Sequence, residues 1–235
     1  MVKKYKYLIF DADHTLIDFE LDEKAAFLRL FEENGVKANE EMLRVCREIS
    51  VKTWNEVGLS DVHTERTQRE FHNLYRSHLT LLFRRIFERY PLDMFPQDAG
   101  ARFLVLLETG GAEIEGARET VEYLAKKYRL AVATNGLHAI QTGRLKEFER
   151  YFYKVYISED LGVIKPLEGF FERIVSDLGA KKEECLMIGD SPESDIAGAT
   201  RAGIDSCWLN RFSRPRGEYA PTYEIVRLSD LTELL

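Results

Sequence analysis

Five short apolar runs, each closed by small polar or acidic residues, constrain the folding of this chain more than any other feature. They read "KYLIF" before Asp11, "LAVAT" before Asn135, "KVYIS" ending at Ser158, "CLMIG" before Asp190 and "SCWLN" ending at Asn210. Each is short for a helix and continuous rather than alternating, the pattern of a strand covered on both faces. Helical periodicity fills the intervals over residues 117–128, 137–148, 167–178 and 195–202. Strands alternating with helices predict a parallel sheet.

Between the first run and the second the rhythm changes. Residues 22–109 are helical in pattern, with no strand signal. Phe27, Leu30 and Phe31 form one stripe, which stops at Asn34-Gly35, a helix terminator. Met42, Val45, Cys46, Ile49 and Thr53 form a second. The longest runs from Phe71 through Leu74, Tyr75, His78, Leu79, Leu82, Phe83 and Ile86 to Phe87, ending before Pro91. A last short helix is expected over residues 102–109, before Gly110-Gly111. The predicted organisation is therefore α/β. Residues 1–17 and 112–235 make a Rossmann-like parallel sheet core with helices on both faces, and residues 18–111 make an inserted α-helical cap. The C-terminal "RFSRPRGEYAPTYEIV" reads as loop followed by a short edge strand.

Composition narrows the classes of partner. The 235 residues carry 33 basic and 40 acidic side chains, a formal net charge of −7, which disfavours a nucleic acid polymer or an anionic membrane. Cys46, Cys185 and Cys207 are far apart and form no CxxC pair, so they read as reduced thiols rather than a zinc site or disulfide framework. Asp11 interrupts the N-terminal apolar run too early for a signal peptide, and no stretch is long enough to span a bilayer. A soluble, cytoplasmic protein is expected, with its oligomeric state left open.

In open parallel sheets, ligands bind at the carboxyl ends of the strands. Here those ends carry Asp11-Ala12-Asp13-His14-Thr15, then Thr134-Asn135-Gly136, then Lys165-Pro166 after the third run, and Gly189 to Asp195 after the fourth. Asp11 and Asp13 repel each other and resist burial, so something must balance them. Clustered carboxylates make an oxygen site for a hard divalent cation, and magnesium is the usual occupant beside phosphate. Asp11 could then attack phosphorus directly. Asp13 could protonate the leaving oxygen and later take a proton from water. Lys165 could neutralise charge on the equatorial oxygens.

"DADHT", "ATNG", "VIKP" and "GDSPESD", in this order, resemble the four motifs of the haloacid-dehalogenase-like phosphohydrolases, and the helical insert sits where that family places its cap. The resemblance implies a Mg²⁺-dependent phosphomonoesterase with an aspartyl-phosphate intermediate, acting on a small-molecule phosphomonoester. It makes Asp11 the nucleophile and a metal ligand, and Asp13 the acid and base, with its backbone carbonyl on Mg²⁺. Asp190 would be the remaining direct ligand and Asp195 would support the metal. Thr134, Asn135, Gly136 and Lys165 would hold phosphate. Many members have glycine where this chain has His14. Within the family, "DADHTL", "TNG", "SEDLGVIKP" and "GDSPESDI" look most like the pyrimidine 5′-nucleotidase branch. A sugar-phosphate phosphatase or a phosphomutase would use the same core. Haloacid dehalogenation needs neither Asp13 nor Asp190, and a non-catalytic binding module would have lost a motif residue.

Other residues carry plainer expectations. Ser191 or Ser194 should cap a helix. His63, His72 and His78 lie in the insert, and a separation of six residues suits His72 and His78 poorly to one metal on a helix face. His78 should pack in its apolar stripe, and the aromatic stripe should be cap core. Thr53 and Trp54, near "VGLSDVH", are candidates to border a substrate.

Overall fold

The computed structural model describes residues 5–235; the part of the core assigned to residues 1–4 lies outside them. Strands β1 (Tyr7–Phe10), β2 (Arg129–Thr134), β3 (Phe152–Ile157), β4 (Cys185–Gly189), β5 (Asp205–Leu209) and β6 (Tyr223–Ile225) form one six-stranded sheet in the order β3-β2-β1-β4-β5-β6. Every neighbouring pair is parallel. β1 has β2 on one side and β4 on the other, so the connections diverge there and leave a crevice at the strands' carboxyl ends.

Four helices lie between β1 and β2: α1 (Phe19–Glu33), α2 (Glu40–Val57), α3 (Glu65–Arg89) and α4 (Pro96–Glu108). The remainder are α5 (Ala117–Leu124), α6 (His138–Arg144), α7 (Ser158–Leu161), α8 (Glu168–Asp177), α9 (Ala197–Ala202) and α10 (Leu231–Leu234). Alternate side chains of each strand enter different cores, as the pleat requires. Leu8, Phe10, Val132 and Ile188 pack with Val121 of α5 and Leu231 of α10. Tyr7, Ile9, Ala131 and Met187 pack on the other face with Phe170 and Ile174 of α8 and Ala199 of α9. Burial on both faces is why these runs are continuously apolar.

The four-helix segment packs around a further core, joined by Leu137, Ile140 and Ile164, in which the rings of Phe27, Phe83 and Phe103 meet at centroid distances of 4.7 to 6.2 Å. Its helices start where a side chain can satisfy free amides: Asp18 accepts from Glu20 and Leu21, Asn39 from Met42, and Thr64 from Thr67. α4 begins at Pro96, six residues before the expected helix start, because proline fits a first helical turn that needs no amide. The expected helix over 195–202 opens with a widened π turn, Pro192–Ile196, before α9. The one expected over 137–148 ends at Arg144 and continues as a 3-10 turn, Lys146–Tyr151. β6 is the expected edge strand.

The two stems of the insert touch. The Asp18 amide donates to the Ala112 carbonyl at 2.7 Å, and Ile17 forms an antiparallel bridge with Glu113. The three cysteines are free and buried. Among the described residues no helix is long and apolar enough to cross a membrane.

Candidate active site

Asp11 follows β1 directly, and its amide continues the ladder to the Ile188 carbonyl at 2.8 Å. This carries the carboxylate to the sheet rim beside the end of β4. Lys165 reaches the same point from the loop before α8. Its buried Nζ donates to Asp11 Oδ1 at 2.6 Å, Asp195 Oδ1 at 2.7 Å and the Ala133 carbonyl at 2.8 Å. Burial works against that charge, but Asp11 and Asp195 outweigh it and hold the lysine pKa above its usual value. Three acceptors for three ammonium protons leave the lysine fully satisfied.

Asp11, Asp190 and Asp195 bring carboxylate oxygens within 4.8 Å of one another. Burial, and then the neighbouring Asp195, push the Asp11 carboxyl well above the usual carboxylate range despite Lys165. The same two causes push Asp190 up to about 7. Three carboxylates against the Lys165 ammonium and the Arg214 guanidinium, 3.8 Å from Asp190 Oδ2, still leave an excess of negative charge, which a cation would relieve. Asp195 is already engaged: besides Lys165 it accepts from the Ser191 amide at 3.1 Å. Gly189 makes that packing possible, since a Cβ there would lie 2.1 Å from Asp195 Oδ2. Ser191 caps the following turn by accepting from the Ser194 amide. The Asp190 backbone carbonyl is held by Trp208 Nε1 at 3.0 Å and by Arg214 at 2.8 Å, leaving its carboxylate facing the cluster.

Asp13 is placed differently. Its Oδ1 pairs with Arg144 and its Oδ2 accepts from Gln141 Nε2 at 3.0 Å. Gln141 also donates to Thr134 Oγ1 at 2.6 Å, which leaves the threonine hydroxyl proton free to donate. Asn135 lines the cavity, but its amide group is spent on Lys165: Nδ2 donates to the Lys165 carbonyl at 3.0 Å and Oδ1 accepts from its amide at 2.8 Å. The Gly136 amide likewise donates to Ser158 Oγ at 3.0 Å. Thus Asn135 and Gly136 brace the loops around the site. Thr15 is buried at the turn after Asp13, with no partner for its hydroxyl. His14 has φ of 60°, the left-handed region that costs a non-glycine residue about 1 kcal/mol. Its ring stands edge-on to Phe19 on the cavity wall.

Asp11, Asp13, His14, Thr134, Gln141, Lys165 and Asp190 border one cavity of about 480 Å³ between the strand ends and the insert, whereas Asp195, Thr15 and Arg144 lie behind its wall. The insert contributes Trp54, Phe71, Tyr75 and a polar group of Glu23, Arg47 and Ser50 to the wall. Glu23 is buried, accepting from Ser50 Oγ at 2.6 Å and Arg47 Nη1 at 2.8 Å. Trp54 borders the cavity as expected, whereas Thr53 is buried behind it, bonded to His78 Nδ1 at 3.0 Å. Burial lowers His78 to about 4, so it is a neutral packing residue against Trp54. His72 points elsewhere, 2.9 Å from Ser158 Oγ.

Gln141, Arg144, Asp22 and Glu23 escaped sequence reasoning. Gln141 and Arg144, three residues apart on α6, are both buried, which nothing in the local sequence signals, and a buried arginine demands a carboxylate partner.

A six-stranded parallel sheet with an acidic and lysine-bearing rim, and a helical insert after its first strand, defines a hydrolase of the haloacid dehalogenase type. The chain belongs to that family: the model of the haloacid dehalogenase-like hydrolases matches residues 5–203. It is 34% identical to the pyrimidine 5′-nucleotidase PynA of Streptococcus pneumoniae over 98% of this chain and 95% of that one. It is 28% identical to the pyrimidine 5′-nucleotidase YjjG of Escherichia coli over 99% and 98%. The magnesium-bound crystal structure of the HAD-hydrolase YfnB of Bacillus subtilis superposes with a TM-score of 0.83 at 28% identity, covering 99% of both chains.

Proposed function

We propose that this hydrolase is a Mg²⁺-dependent phosphomonoesterase that works through an aspartyl-phosphate on Asp11, with pyrimidine nucleoside 5′-monophosphates as substrates. The observation that carries the proposal is the polarity of the cavity. Asp11, Lys165, Thr134 and Asp190 line it from the strand ends, and aromatic rings with Glu23, Arg47 and Ser50 line it from the insert. Its volume lies within the range of small-molecule sites, about 300–1,000 Å³. A phosphate fits the first wall, and a flat base with donors and acceptors on one edge fits the second. The two nucleotidase relatives support the choice of base.

In this mechanism the Asp11 carboxylate attacks phosphorus and displaces the ribose oxygen. Asp13 gives that oxygen its proton, then takes one from the water that cleaves the acyl phosphate. Lys165 keeps Asp11 in place and offsets charge on the equatorial oxygens, while the Thr134 hydroxyl donates to one of them. Asp11, Asp190 and the Asp13 carbonyl would hold Mg²⁺, which when bound would neutralise phosphate charge. Asp195 would anchor Lys165 and the 190–195 loop. Residues 18–111 form the cap, and its closure on the stems at Asp18 and Ala112 would exclude water. The magnesium-bound crystal structure of the relative YfnB reveals interdomain movement.

The test is phosphate release from a panel of nucleoside monophosphates and sugar phosphates, with Mg²⁺ or EDTA, by wild type and Asp11→Asn. Metal-dependent release, best on pyrimidine nucleotides and abolished in the variant, is expected. Transfer of phosphate within one sugar without release would indicate a mutase. Release that survives Asp11→Asn would overturn the mechanism.

A further inference from the structure

Arg144 is among the largest fully buried side chains of the described residues. Its guanidinium joins three parts of the molecule. Nε donates to Asp22 Oδ2 at 2.8 Å, Nη1 pairs with Asp13 Oδ1, and the group lies 5.2 Å from the ring centre of Phe19. Asp22 sits in the first turn of α1, on the entry stem of the insert. Its other oxygen accepts from the amides of Gly111 and Ala112 at 2.8 and 2.9 Å, on the return stem. Gly110 packs so tightly there that a Cβ would lie 2.6 Å from Asp22 Cγ. One buried carboxylate therefore gathers both stems, and one arginine ties it to the acid–base carboxyl.

Stability alone does not explain this arrangement. Apolar residues often replace a buried ion network without loss, and Nη2 has no partner at all. What the network supplies is orientation: Arg144 and Gln141 fix both oxygens of Asp13, and Asp22 fixes Arg144 to the stems. We propose that Arg144 is a positioning residue for proton transfer by Asp13, held in register with the cap stems by Asp22. The inference rests on Asp13 being the acid that protonates the leaving oxygen.

That dependence sets the test. An alkoxide leaving group needs a proton, whereas 4-nitrophenolate is stable enough to leave without one. The comparison uses kcat/KM, which covers steps up to leaving-group departure and omits later hydrolysis of the acyl phosphate. Arg144→Lys keeps the cation but cannot bridge Asp13 and Asp22 as a fork. It should lower kcat/KM on a nucleoside 5′-monophosphate or β-glycerophosphate by about tenfold or more, and on 4-nitrophenyl phosphate by less than about threefold. Asp22→Asn, which leaves the Gly111 and Ala112 contacts possible, should show the same split and serves if Arg144→Lys does not fold. Asp13→Asn is the reference and should show the largest split. Equal losses on both substrates in Arg144→Lys and Asp22→Asn, or no loss, beside a split in Asp13→Asn, overturn the positioning role and leave the acid–base assignment standing. No split in Asp13→Asn overturns that assignment and the inference with it.

Discussion

Binding of Mg²⁺ should release protons, in an amount the acidic cluster sets. Asp190 is pushed up to about 7, by burial first and by Asp195 second. A cation binds the carboxylate and not the acid, so the bound proton must leave. At pH 7 Asp190 alone should give up about half a proton per ion, rising to about 0.9 at pH 6 and falling to about 0.1 at pH 8. The sign follows: lower pH means more proton to displace and weaker binding. Apparent affinity should fall about fivefold between pH 7 and pH 6 from this group alone. Asp11, also pushed up, can only add to the release. Isothermal titration calorimetry in buffers of different ionisation enthalpy reads the number directly as a slope. A zero slope at both pH 6 and pH 7, with unchanged affinity, would show that the carboxylates are already ionised or that the ion binds elsewhere. Asp190→Asn should abolish tight binding and the Asp190 share of the released proton.

Three further outcomes follow from the geometry. Glu23→Gln keeps the shape of the Arg47–Ser50 group but removes its charge; it should raise KM for pyrimidine nucleotides about tenfold with kcat changed less than about threefold. An equal rise for β-glycerophosphate would remove Glu23 from base recognition. Burial holds His78 neutral, at about 4. Its unfolded form takes a proton below about 6.5, so stability is full above that value and is lost as pH falls towards 4; about 2 kcal/mol should go between pH 8 and pH 5. Urea titrations at those two pH values should show this loss in wild type and not in His78→Leu; identical losses refute it. Gly189→Ala places a Cβ where Asp195 Oδ2 now lies, so it should displace Asp195 from Lys165 and cut kcat by about 100-fold or more. Unimpaired turnover would mean that the Asp195–Lys165 bond is dispensable.

The sheet was legible in the sequence because its strands are buried on both faces and so read as unbroken apolar runs. The strand-end groups were legible because each follows such a run: Asp11, Thr134 and Asp190 lie at the rim for that reason alone. Lys165 is not at a strand end, and only motif order indicated it. The arrangement inside the site was less visible. Nothing local tells that Asn135 spends its amide on the Lys165 backbone, or that Asp195 takes both the lysine and the Ser191 amide. Those bonds depend on distances across the sheet. Arg144 and Asp22 are far apart in sequence and meet only because the insert returns beside its own start. The beginning of α4 at Pro96 was hidden because Pro96 also reads as a loop residue, and the apolar stripe that identifies the helix starts later.

The hydrogen bond from Asp18 to the Ala112 carbonyl has a consequence for how such proteins diversify. Because the insert leaves and re-enters at backbone contact, its length and content are invisible to the strands beneath it. A recombination event that swapped everything between those two residues would need no adjustment of the sheet, only compatible packing over the rim. The strand-end groups and the insert surface that faces them can therefore evolve at separate rates. Beside the apolar packing of Leu137 and Ile140 against the insert and the His72–Ser158 contact, they share the salt-linked trio of Asp13, Arg144 and Asp22, which any transplanted insert would have to supply with a carboxylate at the position of Asp22.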